Sequence, residues 1–181
     1  MSKMSRRIVV DASVARSAGL TENPISLYCR RFLEAIHDTK HQVVMTDDIR
    51  SEWKKHQSRY SLTWLSAMQS RGRVINVSTS ADDEKDLADR LDASTLVTDA
   101  QKDAARKDML LLLAALKTDK LVSSRDDVVR AIFAVLCAEL AKIASVNWVN
   151  PVVESEMAVE WIKAGARADV ERSLGKFQPD A

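Results

Sequence analysis

Asp11, Glu52, Asp108 and Asp126 are the residues whose type and placement could do chemistry together. Asp11 closes the β-branched run in RRIVVDAS, Glu52 lies in TDDIRSEW, Asp108 leads KDMLLLLAAL and Asp126 follows LVSSR. Asp108 and Asp126 stand 18 positions apart with the apolar segment MLLLLAAL between them. That gap has room for the rest of a buried helix, a tight turn and one strand, which a solvated charge cluster would not need. Carboxylates gathered in one cleft raise each other's pKa, and burial raises it further. Hard divalent cations relieve such a set, and oxygen-only ligands favour magnesium or manganese over zinc. Ions of this kind activate a water and neutralise the oxygens of a phosphodiester.

Taken singly, each acid has an ordinary explanation. Asp11 could be a turn former, Asp108 a plain helix residue and Asp126 the N-cap of the next helix. Glu52 beside Lys54 and Lys55 could be an exposed helical acid. Only the set points to a site, so the elements that carry it decide.

Those elements alternate. RRIVVDAS reads as a buried strand, and NPISLYCRRFLEAIHDTK as a helix with Pro24 at its first position and Ile25, Tyr28, Cys29, Phe32, Leu33 and Ile36 on one face. QVVMT is a second strand. DDIRSEWKKHQSRYSLTWLSAMQSRG is one helical stretch or two in series, capped by Asp47 or Asp48 and closed by Gly72. RVINVS is a third strand, and Ser80 caps the helix in TSADDEKDLADRL. DAQKDAARKDMLLLLAALK is a helix, KLVSS a strand, DDVVRAIFAVLCAELAKIA a helix, and SVNWVN a fifth strand ended by Pro151. The tail VVESEMAVEWIKAGARADVERSLGKF reads as one or two surface helices. The expected fold is an α/β class, three-layer α/β/α sandwich with a mainly parallel central sheet of about five strands. The main domain spans 1–151, followed by a helical C-terminal extension over 152–181. In such sheets ligands bind at the carboxyl ends of the strands, near a topological switch point. Asp11 and Asp126 belong to strand ends.

Composition narrows the classes. The 181 residues are 46% hydrophobic, enough for one stable core. A formal net charge of +1 gives no global attraction for polyanions, so nucleic-acid binding would need local basic patches. The two cysteines, Cys29 and Cys137, read as reduced thiols in amphipathic stretches. MLLLLAAL is far short of the ~20 residues that span a bilayer, and MSKMSRRIVVDASV lacks the apolar stretch of a leader. A soluble, cytoplasmic protein without a membrane partner is expected. The chain's four glycines form neither GxGxxG nor GxxxxGK. A haloacid-dehalogenase-type phosphatase would need a second acid at position 13, which is Ser13, and a receiver domain would need an acidic pair upstream of Asp11, where no acid occurs.

The four segments together resemble the PIN domain, a family of metal-dependent ribonucleases that includes the VapC-type toxins. VVDASV is similar to its opening strand, with Asp11 as first acid and Ser13 two places on. TDDIRSEW is similar to the segment bearing the second acid, Glu52. KDMLLLLAAL is similar to the helix led by the third, Asp108, and LVSSRDD to the strand end with Ser124 two places before the fourth, Asp126. The 18-residue spacing and the SRD triplet are its most specific parts. The resemblance runs from about Ile8 to Pro151, and Asp127 stands near where many members carry a fifth acid, one position after Asp126 instead of two.

The resemblance implies a metal-dependent endoribonuclease hydrolysing phosphodiesters of single-stranded or structured RNA with Mg2+ or Mn2+. Asp11, Glu52, Asp108 and Asp126 would be its catalytic metal ligands. Ser13, Ser124 and Asp127 would orient them. It also implies a toxin-like enzyme, often a homodimer and often held in check by a small antitoxin protein. A different outcome is a catalytically weak PIN-fold scaffold that binds nucleic acid or protein. Lys54, Lys55, His56, Arg71, Arg73, Lys107 and Arg125 neighbour the acids in sequence and are the expected contacts to flanking phosphates. Trp53, Tyr60 and Trp64 could stack on bases, though the two tryptophans read more naturally as core. His37 and His41 read as solvated residues at a helix end.

Overall fold

The computed structural model describes residues 5–178. Five strands form the sheet: β1 (Arg7–Val10), β2 (Gln42–Met45), β3 (Val74–Asn76), β4 (Leu121–Ser123) and β5 (Asn147–Val149). Their order is β3-β2-β1-β4-β5, and every pairing is parallel. The register sets Val9 beside Val44 and Val122, and Ser123 beside Val10 and Val149. Ile8, Val9, Val10, Val43, Val44 and Val122 are fully buried. A parallel sheet is covered on both faces, which is why these strands are runs of β-branched residues without polar alternation.

The helices are α1 (Ala12–Ser17), α2 (Pro24–Asp38), α3 (Asp47–His56), α4 (Arg59–Ser70), α5 (Ala81–Ala93), α6 (Asp99–Leu116), α7 (Asp127–Leu136) and α8 (Ala158–Lys163). Right-handed crossovers put α2 and α4, with α8 packed on α2, against one face and α5, α6 and α7 against the other. This is the three-layer α/β/α sandwich expected from the alternation. The chain moves outward from β1 to β3, then crosses back to β4. The switch point therefore lies between β1 and β4, where Asp11 and Asp126 emerge.

Local chemistry sets the helix boundaries. Asn23 caps α2 by accepting from the Ile25 N–H, with Pro24 at the first helical position. Thr46, not Asp47 or Asp48, caps α3, accepting from the Ile49 N–H at 3.1 Å. The two aspartates fill the first turn, where they complement the helix dipole. Gln57 and Ser58 adopt extended backbone and divide the long stretch into α3 and α4. Gly72, with φ 66°, turns the chain out of α4. Ser80 caps α5 as expected, and a Thr98–Gln101 capping box opens α6.

Other expectations are corrected too. The helix after β4 ends at Leu136 and is followed by a turn and a 3-10 segment, Ala141–Ile143. The tail is not a surface appendage. Trp161, Ile162 and Leu174 are buried in the common core, α8 packs on α2, and Ser173 bridges antiparallel to Asn147. The bridge, with the Leu174 N–H on the Val146 carbonyl at 2.9 Å, covers the outer edge of β5 that would otherwise stand open.

His41 is fully buried rather than solvated. Its Nδ1 accepts from the Arg6 N–H at 3.0 Å, and its Nε2 lies 3.1 Å from the Ile162 carbonyl oxygen. An amide donor on one nitrogen and a carbonyl acceptor on the other fix the neutral ring with its proton on Nε2. The imidazole thus fastens the tail to the amino end of the sheet. Among the described residues no helix is long and apolar enough to cross a membrane. His41→Ala strands a buried donor and a buried acceptor and is expected to lower stability by about 1–3 kcal/mol. Urea unfolding checks this; a loss under ~0.5 kcal/mol would show that the tail is held by packing alone.

Candidate metal centre

Asp11 follows β1 directly. Its N–H donates to the Ser123 carbonyl at 2.9 Å, which extends the β1–β4 pairing by one residue. The residue sits at the N-cap position of α1, yet its side chain makes no capping bond. Its Oδ2 instead accepts from the Ser13 hydroxyl at 2.5 Å and the Ser124 hydroxyl at 2.8 Å. Both hydroxyls accept in turn, Ser13 from the Arg125 N–H and Ser124 from the Asp126 N–H, each at 3.1 Å. One carboxylate oxygen therefore joins the ends of β1 and β4.

Asp126 caps α7, its Oδ1 accepting from the Val129 N–H at 2.9 Å. Asp108 is carried into the same region by the middle of α6. Burial pushes its carboxyl up to about 7, and the charges of Asp11, Asp126 and Glu52 push in the same direction while Lys107 opposes them. The four acids thus share one electrostatic environment. Glu52, on α3, reaches it because the Trp53 indole N–H donates to the Val10 carbonyl at 2.9 Å, one residue before Asp11. Glu52 itself pairs with Lys55 at 2.7 Å and lies 3.6 Å from His56.

Asp11, Glu52, Lys107 and Asp108 line a cleft of about 390 Å3 whose apolar wall includes Ala12, Ile49 and Leu111. Asp126 lies outside that lining and acts on Asp108 through its charge. Among the described residues no three His, Cys, Asp or Glu side chains close into ion-holding geometry. The donor set nevertheless fits a hard dication. All four candidates are carboxylates, and Asp108 carries the unrelieved repulsion that such an ion removes.

The remaining expected residues divide. Ser13 and Ser124 touch Asp11, and Lys107 lines the cleft. Lys54 and His56 are exposed on α3 beside Glu52. Asp127 is turned away: its Oδ2 accepts from the Asn150 side chain at 2.6 Å, Oδ1 is 3.6 Å from Arg130, and it lines a larger groove of about 820 Å3 on the other side of α7. Consecutive residues at a helix start diverge by about 100°, so Asp126 and Asp127 cannot serve one site together. Arg71 and Arg73 also leave the cleft. They precede β3, at the amino end of the sheet, where they donate to the carbonyls of Ala67 and His37. Arg125 bends behind α1 to the Ser17 hydroxyl at 2.5 Å, close enough to Cys29 on α2 to oppose the burial that pushes that thiol up to about 11. Trp53 and Trp64 are core residues with ring centroids 6.2 Å apart, leaving neither as an open stacking face.

Asn150 is a residue the motif reading did not single out. It is buried at the end of β5, and its amide donates to Asp127 and to the Arg125 carbonyl at 3.4 Å, steadying the loop that presents Asp126. A polar residue closing the apolar run SVNWVN was the available signal. Comparison with models of protein families, with curated proteins and with solved structures gives no match.

Asp108 is protonated in the fold up to about pH 7 and ionised in the unfolded chain above its ordinary 3.8. The folded state then binds the extra proton, so stability falls as pH rises from about 4 to about 7 when no dication is present. The loss is on the order of 4 kcal/mol. Asp108→Asn is expected to abolish that fall and to be more stable than the parent at pH 8. Urea denaturation across this pH range in chelator checks it; parallel profiles would overturn the assignment of Asp108 to a repulsive cluster.

Proposed function

We propose that the cleft hydrolyses phosphodiester bonds of RNA with the help of Mg2+ or Mn2+ held by Asp11, Glu52, Asp108 and Asp126. The observation that carries this reading is Asp108, a half-buried carboxyl pushed up to about 7 and opposed by three other acids at the β1/β4 switch point. A stable fold that needed only a packed helix would place a leucine there. The RNA preference is what the PIN-like motifs around these acids imply.

The protein's own residues supply orientation and charge. Ser13 and Ser124 hold one oxygen of Asp11, and the Val129 N–H holds one oxygen of Asp126, so neither carboxylate turns freely. Lys107 brings positive charge to the cleft for an entering phosphate. Ala12, Ile49 and Leu111 keep one wall dry, which strengthens every charge interaction inside. A bound dication supplies a water of lowered pKa and neutralises charge on the phosphoryl oxygens. The cleft lies at the small end of ligand sites, ~300–1,000 Å3, and suits one unpaired nucleotide.

The pairing of Glu52 with Lys55 favours a second reading, a PIN-like scaffold that binds nucleic acid or protein without cutting. Metal binding separates the two. Millimolar Mn2+ or Mg2+ is expected to raise the melting temperature by about 5–10 °C, since a ligand that binds only the folded state stabilises it by ~2.7 kcal/mol at a hundredfold excess over Kd. The shift should vanish in Asp11→Asn/Asp108→Asn; no shift in the parent favours the scaffold. Cleavage of single-stranded RNA in Mn2+ is expected to drop at least about a hundredfold in Asp126→Asn, whose amide oxygen still accepts from Val129. Unchanged cleavage with an unchanged fold would remove Asp126 from the site.

A further inference from the structure

Cations without a carboxylate partner flank the acid cleft: Lys107 in its lining, Lys54 on α3 beside Glu52, and three arginines around α1. Among the described residues Arg16, Arg59 and Arg125 take part in no ion pair. Arg16 is exposed on α1. Arg125 donates to Ser17 at the end of α1, and its Nε is buried without a hydrogen-bond partner. Arg59 is exposed at the start of α4, directly after Ser58, whose N–H donates to Ala15 of α1 at 3.2 Å. The segment 12–21 contains no acid, and Glu22 just beyond it is already paired with Arg30 at 2.8 Å. On α5 and α6, by contrast, several cations are matched, as in Lys85–Asp89, Arg90–Asp86 and Arg106–Asp92. The α1 flank is therefore an uncompensated positive patch beginning one residue from Asp126.

Its chemistry suits a phosphate. The Ser17 oxygen accepts from Arg125, which leaves its proton to donate onward, and the guanidinium of Arg125 lies between two chain segments that both reach Asp11. Ser17 is six residues past Asp11, roughly 9 Å along a helix at ~1.5 Å per residue. A group bound there is next to the cleft without entering it. We infer that the α1 flank formed by Arg16, Ser17 and Arg125, with Arg59 at its margin, is a second anion subsite that holds the phosphodiester adjacent to the one in the acid cleft, so that the ligand is a single-stranded nucleic acid crossing α1. This rests on the reading of the cleft as a phosphodiester site.

The test is the salt dependence of binding to a fluorescent single-stranded RNA of about twelve nucleotides, measured in chelator so that nothing is cut. Each phosphate contact contributes about 0.7 to the slope of log K against log salt for a single strand. Arg16→Gln and Arg125→Gln are each expected to reduce the slope by about 0.7 and to weaken binding about fivefold at ~0.1 M salt. Arg71→Gln, at the far end of the sheet, should keep the parent slope. Arg16 makes no bond that the fold depends on, so its variant remains informative if Arg125→Gln misfolds. Full parental slopes in both α1 variants, or a parent that does not bind the strand, overturn the subsite. Neither result touches the melting-temperature and cleavage measurements on Asp11, Asp108 and Asp126, so the two readings fail separately.

Discussion

The contact on which the cleft end of the molecule depends is the pair of hydroxyl bonds on one oxygen of Asp11. Ser13 reaches it from the first turn of α1 and Ser124 from the end of β4. The same hydroxyls accept the N–H groups of Arg125 and Asp126, so the β4–α7 loop is fixed by the residue that ends β1. A parallel sheet with a switch point leaves a crevice at this junction because neighbouring connections depart to opposite faces. The crevice would fill with water or side chains in most folds. Here it is lined by acids, and the serines spend their hydrogen bonds holding one of them in place.

That arrangement is stable because the rest of the sheet is closed around it. β5 has three residues and would be an exposed edge, but the tail covers it through the Asn147–Ser173 bridge, and the Asp169 N–H donates to the Asn147 side chain at 2.7 Å. At the opposite end His41 joins the tail to β1 through Arg6. Glu156, also from the tail, pairs with the buried Arg130 of α7 at 2.5 Å and accepts from the Asn150 N–H. Asn150 in turn holds the loop before Asp126. Residues 152–178, read from sequence as an extension, thus support the helix whose N-cap, Asp126, acts on Asp108 through its charge.

What was legible in the chain follows from what local chemistry determines. Strand runs such as IVV and QVVM, the cap Ser80, the first-turn Pro24, and acids at strand ends are decided within a few residues, and they placed the sheet and the strand-end acids. What was not legible depends on partners distant in sequence. Arg71 and Arg73 are near Glu52 in the chain but occupy the amino end of β3, because helices and strands run in opposite directions and α3 begins where β3 ends. His41 looked solvated because its partners, Arg6 and Ile162, are far away in sequence. Asp127 looked like a fifth acid because its angular offset from Asp126 has no trace in a linear motif.

The acids of the cleft differ in how far each can escape repulsion without help. Glu52 leans on Lys55 at the surface, an exposed pair worth about 0–1 kcal/mol, and can release it at little cost. Asp11 and Asp126 each accept hydrogen bonds that hold one carboxylate oxygen in place. Asp108 is half-buried with no ion-pair partner of its own, and it stands on a helix whose next residues, Met109 and Leu111 to Leu113, are buried in the core. Rotating α6 to expose it would expose them too, at ~25 cal/mol for every Å2 of apolar surface returned to water. The packing of α6 therefore maintains the electrostatic strain, and the strain is confined to one carboxyl. A cluster whose unrelieved cost sits on one carboxyl is relieved when that carboxyl takes up a proton, which is why its state follows pH.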